Sequence, residues 1–164
     1  MNNNEYPDFS LLFNQRPKAR AKVNGSILYP EIQGDVWFYE ADYGVFVVAD
    51  IEGLPNSSGE CQSPIFAFHI HEGDSCSGNN TDTFDNARMH YNPDNCPHPY
   101  HAGDLPPLFG VQGFAFSAAL TKRFRIEEII GKTVVIHSSI DNFKSQPSGN
   151  SGSKIACGEI RMYE

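Results

Sequence analysis

The chain has 164 residues, 40% of them hydrophobic and 20% charged, and a formal net charge of −8. That is an ordinary balance for one soluble domain able to bury a core, and the acidic excess excludes broad electrostatic attraction to nucleic acid or to an anionic lipid surface. No apolar run approaches the ~20 residues of a membrane-crossing helix, so no membrane partner is expected. The start, Met1-Asn2-Asn3-Asn4-Glu5-Tyr6-Pro7, lacks the basic-then-apolar pattern of a secretory signal. The expected location is therefore cytoplasmic, or extracytoplasmic if a signal has been removed.

In chain order, residues 1–19 read as a polar N-terminal extension and 20–164 as a single domain. Short strand-like runs follow one another. Ala21–Leu28 alternates roughly, Asp35–Tyr39 is aromatic-rich, and Gly44–Asp50 reads as a buried strand. Ile65–His71 and Gly113–Ala118 come next, and Thr133–His137 and Lys154–Tyr163 finish the set. Only Arg125–Ile130 suggests a helix, and a short one. Separated by Gly, Pro and Asn turns, these runs predict an all-β sandwich or barrel. Phe66, Phe68, Phe114 and Phe116 read as core packing, and Trp37-Phe38-Tyr39 as core or a subunit contact. Between residues 72 and 110 the apolar periodicity vanishes, and a connection this long is usually functional when ordered.

All six histidines lie between positions 69 and 137: His69, His71, His90, His98, His101 and His137. Imidazole is the commonest side-chain metal ligand near neutral pH. Side chains at i and i+2 of a strand share a face, so His69 and His71 could hold one ion from a rigid strand. The long connection adds three histidines and Asp104, so a metal ion could be what orders it. A mixed His and Asp set suits zinc, and a site of three or four imidazoles suits Cu(II). Of the four cysteines, Cys61, Cys76, Cys96 and Cys157, no two form a Cys-x-x-Cys pair, which disfavours a thiolate zinc ribbon. Their pairing is open at this level.

Taken together, Phe68-His69-Ile70-His71-Glu72, His90-Tyr91-Asn92-Pro93, His101-Ala102-Gly103-Asp104-Leu105, Gly131–His137 and Gly149–Gly158 resemble the Cu/Zn superoxide dismutase family, in a short-loop, prokaryotic-like form. The resemblance runs from about residue 20 to the C-terminus. It implies an eight-stranded Greek-key β-barrel, or flattened immunoglobulin-like sandwich, with long metal-binding loops. It implies copper on His69, His71, His90 and His137, and zinc on His90, His98, His101 and Asp104, with His90 shared between the ions. By the same resemblance Asp141 hydrogen-bonds one copper and one zinc histidine, and Cys76 and Cys157 form a disulfide. On the chain-entropy model a bond closing so long a loop stabilises by about 4–5 kcal/mol. The implied activity is dismutation of superoxide to dioxygen and hydrogen peroxide by Cu(II)/Cu(I) cycling, with His90 passing a proton. Members of the family are often homodimers.

Three departures from the family pattern carry expectations. Lys154 stands where the family has an arginine over the copper. Lysine keeps the charge but not the planar fork of donors, so a slower or less selective anion site is expected. The loops around the metals are short, which predicts a more open copper channel. Cys61 and Cys96 are additional, as free thiols, a second disulfide or an intermolecular link. Two other readings were weighed: a non-catalytic protein of the same fold that stores or delivers copper, and a hydrolytic zinc enzyme. The latter is disfavoured because two closed sites consume every candidate ligand.

Overall fold

The structure, a computed structural model, describes residues 14–56 and 64–164. Cys61 and most of the proposed N-terminal extension lie outside the described residues. Among the described residues nine strands and one α-helical turn follow in order: β1 (Ala19–Gly25), β2 (Gln33–Ala41), β3 (Gly44–Glu52), β4 (Ile65–Phe66), β5 (Phe68–His71), β6 (Leu108–Phe109), β7 (Ala115–Thr121), α1 (Ile126–Ile129), β8 (Thr133–His137) and β9 (Lys154–Met162), with a 3-10 turn at Asp85–Ala87. Seven strands form one antiparallel sheet in the order β5-β8-β9-β1-β2-β3-β7, and β4 pairs with β6 beside it. β4 and β5 are one strand interrupted at Ala67, whose carbonyl accepts from the His137 N–H while its own N–H donates to the Ser139 carbonyl. Counted that way the strands number eight, as the family pattern implies.

The sheet curls into a half-barrel that brings β5 towards β3 and β7. Phe68 of β5 lines the same small interior gap as Val47 and Ala49 of β3 and Ser117 and Ala119 of β7. One core cluster fills the interior, drawing on alternate residues along the strands: Ala19, Ala21 and Val23 of β1, Val36 and Phe38 of β2, Val134 and Ile136 of β8, Ala156 and Ile160 of β9. The alternation follows from the pleat, which sends successive side chains to opposite faces. The expected strand Ala21–Leu28 stops at Gly25 because the chain turns there. The Gly25 N–H donates to the Ile32 carbonyl and the Tyr29 N–H to the Ser26 carbonyl, which leaves Ile27 and Leu28 in solvent.

Two of the four phenylalanines read as core are not core. Phe66 and Phe68 are buried, whereas Phe114 and Phe116 are 57% and 66% exposed. On β7 the inward parity belongs to Ala115, which pairs with Ile51 of β3. A strand's buried face is set by its register, and a shift of one residue inverts it. Ser117 and Ala119 share the parity of Ala115 and line the gap beside Phe68, while the aromatic positions face outward. Trp37 and Tyr39 pack with Phe46 and Val48 on the outer face of β2 and β3, and Phe38 alone of that trio enters the core.

Phe38 and Phe116 make the parity testable. Phe38→Ala is expected to cost about 3–5 kcal/mol of unfolding free energy, as for other buried aromatics, and Phe116→Ala to stay within about 0.5 kcal/mol of the parent. Urea unfolding of both variants checks this, and comparable losses would place Phe116 in the core after all.

Candidate metal centre

The pleat of β5 sorts its four residues into two jobs. Phe68 and Ile70 enter the core cluster, so His69 and His71 stand on the opposite face. That face is covered by the connection 72–107 and is still fully buried, with His69 at 0% and His71 at 1% exposure. β8 pairs with β5 and ends at His137. At that point the β8–β9 register shifts, so that after Ile136↔Ala156 comes His137↔Lys154. The irregularity brings Lys154 rather than Ile155 opposite His137. Isolated bridges pair His71 with His90 and His69 with Asp104, and these fasten the long connection along β5.

Two groups of buried side chains result, each with ligand atoms within 4.8 Å of one another: His69, His71, His90 and His137, and His90, His98, His101 and Asp104. His90 belongs to both. Proton placement shows what these groups lack. His71 Nδ1 lies 2.8 Å from the Arg88 carbonyl and His137 Nδ1 lies 3.4 Å from the Gly152 carbonyl. A carbonyl only accepts, so each Nδ1 carries the proton and each Nε2 keeps a lone pair. Yet the two Nε2 atoms face each other at 3.1 Å. That is the separation of two nitrogens bound to one ion at about 2.0–2.1 Å, and no proton is present to join them.

The same holds around Asp141. Its Oδ2 accepts from His69 Nε2 and its Oδ1 from His98 Nε2, both at 2.9 Å. This leaves His69 Nδ1 and His98 Nδ1 as bare acceptors, and both are buried with no hydrogen-bond partner, as is His90 Nε2. His98 Nδ1 even lies 3.1 Å from an Asp104 oxygen, two acceptors in contact. His90 Nδ1 sits 2.8 Å from Asp104 Oδ1 and 3.3 Å from His101 Nδ1. Converging, desolvated lone pairs of this kind are costly unless a cation lies among them. The donor sets therefore fit metal ions: an all-imidazole group of the kind Cu(II) prefers, and a three-imidazole, one-carboxylate group of the kind zinc prefers.

Electrostatics agree. Burial pushes His69 down to about 4, only partly opposed by its hydrogen bond to Asp141. Burial, with His69 and His90 nearby, pushes His137 down to about 3. His71 is driven well below the ordinary range by burial and by its histidine neighbours, and His101 is lowered mainly by burial. For Asp104, burial raises the carboxyl, but the surrounding histidines more than reverse it. Asp141 is likewise raised by burial, then carried well below the carboxylate range by His69, the Phe143 N–H and His98. Neutral imidazoles and ionised carboxylates are the protonation states that metal ligands need.

Several supporting residues escaped the sequence reading. Gln146 clamps the backbone of His98 from both sides, its Oε1 accepting from the His98 N–H and its Nε2 donating to the His98 carbonyl. Arg123 donates to the carbonyls of Pro99, His101 and Asp104. Gly149 packs so closely on Asp141 that a Cβ would lie 1.9 Å from Oδ1, and its φ is +70°. None of the three has a local sequence signal beyond the turn-forming glycine. The Cys76–Cys157 disulfide is formed and anchors the connection to β9 with Phe84, Ala87 and Val135. Cys96 is a free, partly buried thiol. Lys154 Nζ donates to Asp82 Oδ2 at 2.6 Å and to the Phe84 carbonyl at 3.1 Å. It lines a pocket of about 370 Å³ that reaches His71, His90 and His137.

A family model for copper/zinc superoxide dismutase (SODC) matches residues 32–160. The copper–zinc superoxide dismutase 2 of Aquifex aeolicus (strain VF5) is 32% identical over 93% of this chain and 91% of its own length. That of Legionella pneumophila is 31% identical over 80% of each. A protein of Bacillus subtilis (strain 168) named superoxide dismutase-like protein YojM is 35% identical over 57% of this chain and 54% of its own length.

The lowered histidines set a pH dependence for the metal-free protein. An unfolded histidine protonates near 6.5, while His69 and His137 resist protonation down to about 4 and about 3. Between those limits the unfolded state binds more protons, so stability rises with pH. The metal-free protein should therefore lose stability as pH falls from about 6.5 to about 4, by up to about 1.4 kcal/mol per pH unit for each such histidine. Denaturant midpoints taken across that interval measure the slope, and a flat profile refutes it.

Proposed function

Because the chain belongs to the copper/zinc superoxide dismutase family, we propose that it is a working superoxide dismutase, converting superoxide to dioxygen and hydrogen peroxide. The observation that carries this reading is the shared His90, whose two ring nitrogens belong to two complete groups of four ligands. In the proposed assignment His69, His71, His90 and His137 hold copper, and His90, His98, His101 and Asp104 hold zinc. Bound copper supplies one-electron chemistry by cycling between Cu(II) and Cu(I), and zinc, which has no redox chemistry, polarises and orders the ligands it shares. The net change is two superoxide anions and two protons giving one dioxygen and one hydrogen peroxide.

The protein's own residues prepare this chemistry. Asp141, by accepting from both His69 and His98, holds each ring in the tautomer that offers Nδ1, as carboxylates behind ligating histidines do. The carbonyls of Arg88 and Gly152 do the same for His71 and His137, offering Nε2. His90 Nδ1 lies against Asp104 and His101 and its Nε2 is buried without a partner, which makes Nε2 the atom to face the copper and to hold a proton for delivery. Lys154 lines the pocket beside His137, where its charge favours an arriving anion, though Asp82 opposes it at 2.6 Å. The second reading is a copper- and zinc-binding protein that stores or delivers copper without turnover.

Metal analysis with a superoxide assay separates the two readings. One copper and one zinc per chain with rapid, cyanide-sensitive superoxide loss is expected; zinc alone, or copper without turnover, sinks the enzyme. Lys154→Met should lower kcat/KM by roughly three- to thirtyfold at low salt, the range for one charge about 6 Å away at intermediate dielectric. An unchanged rate would remove Lys154 from the mechanism.

A further inference from the structure

Three charged residues line the pocket over His71, His90 and His137: Asp82, Lys154 and Arg88, the last with its carbonyl on His71 Nδ1. Asp82 and Lys154 form an ion pair at 2.6 Å, and Lys154 also donates to the Phe84 carbonyl. To an anion in the pocket that pair presents little net charge. Arg88 is exposed, and among the described residues its guanidinium makes no hydrogen bond or ion pair. Of the three charged lining residues it is the one whose charge has no partner among the described residues, in a chain whose net charge of −8 repels anions at longer range.

The backbone at Arg88 supplies an independent observation. Its φ is 62° and its ψ −144°, a combination that glycine adopts freely and that residues with side chains rarely do. The turn is needed to aim the Arg88 carbonyl at His71 Nδ1, 2.8 Å away. Glycine would meet that need without strain. An arginine there bears a conformational cost for which the backbone gives no reason, and strain of this sort collects where a side chain has a task. We propose that Arg88 is the residue that recruits the small anionic substrate to the copper-side histidines, with Asp82 and Lys154 acting as a near-neutral pair beside it. This rests on the dismutase reading for the identity of the anion, but not for the existence of the anion site.

The test is azide titration of the copper- and zinc-loaded protein, followed by visible absorbance, for the parent and for Arg88→Gln, Arg88→Lys and Arg88→Gly. Arg88→Gln and Arg88→Gly should weaken azide binding roughly three- to tenfold at low ionic strength, the scale of one charge across such a pocket. The difference should shrink towards nothing near 1 M salt, where screening is strong. Arg88→Lys should keep most of the affinity. Arg88→Gly should also raise the thermal midpoint, because the strain is relieved, which separates loss of charge from loss of fold. Azide affinity within twofold of the parent in both uncharged variants overturns the proposal and leaves the dismutase reading intact. A parent that binds azide in this Arg88-dependent way yet fails to remove superoxide overturns the dismutase reading and leaves the anion site standing.

Discussion

The rest of the site depends on one carboxylate. Asp141 accepts from His69, 72 positions earlier in the chain, and from His98, 43 positions earlier. Each hydrogen bond fixes a tautomer, and each tautomer aims a lone pair at a different ligand group. A single buried anion thus couples the orientation of a strand histidine to that of a loop histidine. Asp141 is itself fixed by the Phe143 N–H and by the close approach of Gly149. The segment 138–153 is therefore part of the metal centre although it contributes no ligand: it carries Asp141, it clamps His98 through Gln146, and it supplies the Gly152 carbonyl to His137.

What that arrangement costs explains what completes it. Six buried imidazoles, with unpaired nitrogens turned towards one another, form a polar interior that an apoprotein stabilises poorly. Leaving buried acceptors without partners is expensive, and a half-satisfied polar network is worse than none. Cations among the lone pairs would convert those penalties into ligand bonds, so metal binding and stability are coupled. β5 shows how directly the fold serves this end. Its pleat places Phe68 and Ile70 in the core and His69 and His71 against the connection, so the residues that hold the ligands rigid are their own chain neighbours.

How much of this was legible in the sequence differs by element. His69 and His71 could be paired from the chain alone because the strand period is two. Grouping His98, His101 and Asp104 with His90 needed the family pattern, since no repeat governs a loop of irregular backbone. Every strand but β6 was legible in approximate place, β4 and β5 as a single run, but the parity of β7 was not. Gly113-Phe114-Ala115-Phe116 alternates equally well either way, and only the register with β3, which sets Ala115 opposite the core residue Ile51, selects Ala115 as the inward residue. Gln146, Arg123 and Asp82 were illegible for a related reason. Each acts by reaching backbone or charge that lies near it only after folding, and a polar residue in a loop carries no local mark of such a partner.

The charge of the pocket follows from the same long-range ties. The disulfide between Cys76 and Cys157, 81 residues apart, draws the connection onto β9, and Phe84 and Ala87 pack beneath it with Val135. Asp82 and the Phe84 carbonyl are thereby delivered to Lys154, which the β8–β9 irregularity has placed opposite His137. Lysine at this position is not simply an arginine with fewer donors. Its single ammonium is occupied by a carboxylate and a carbonyl that the ordered connection provides. Local charge at the metal centre is then a property of the loop as well as of residue 154, and at short range it is the unpaired charge, not the total, that an arriving anion meets.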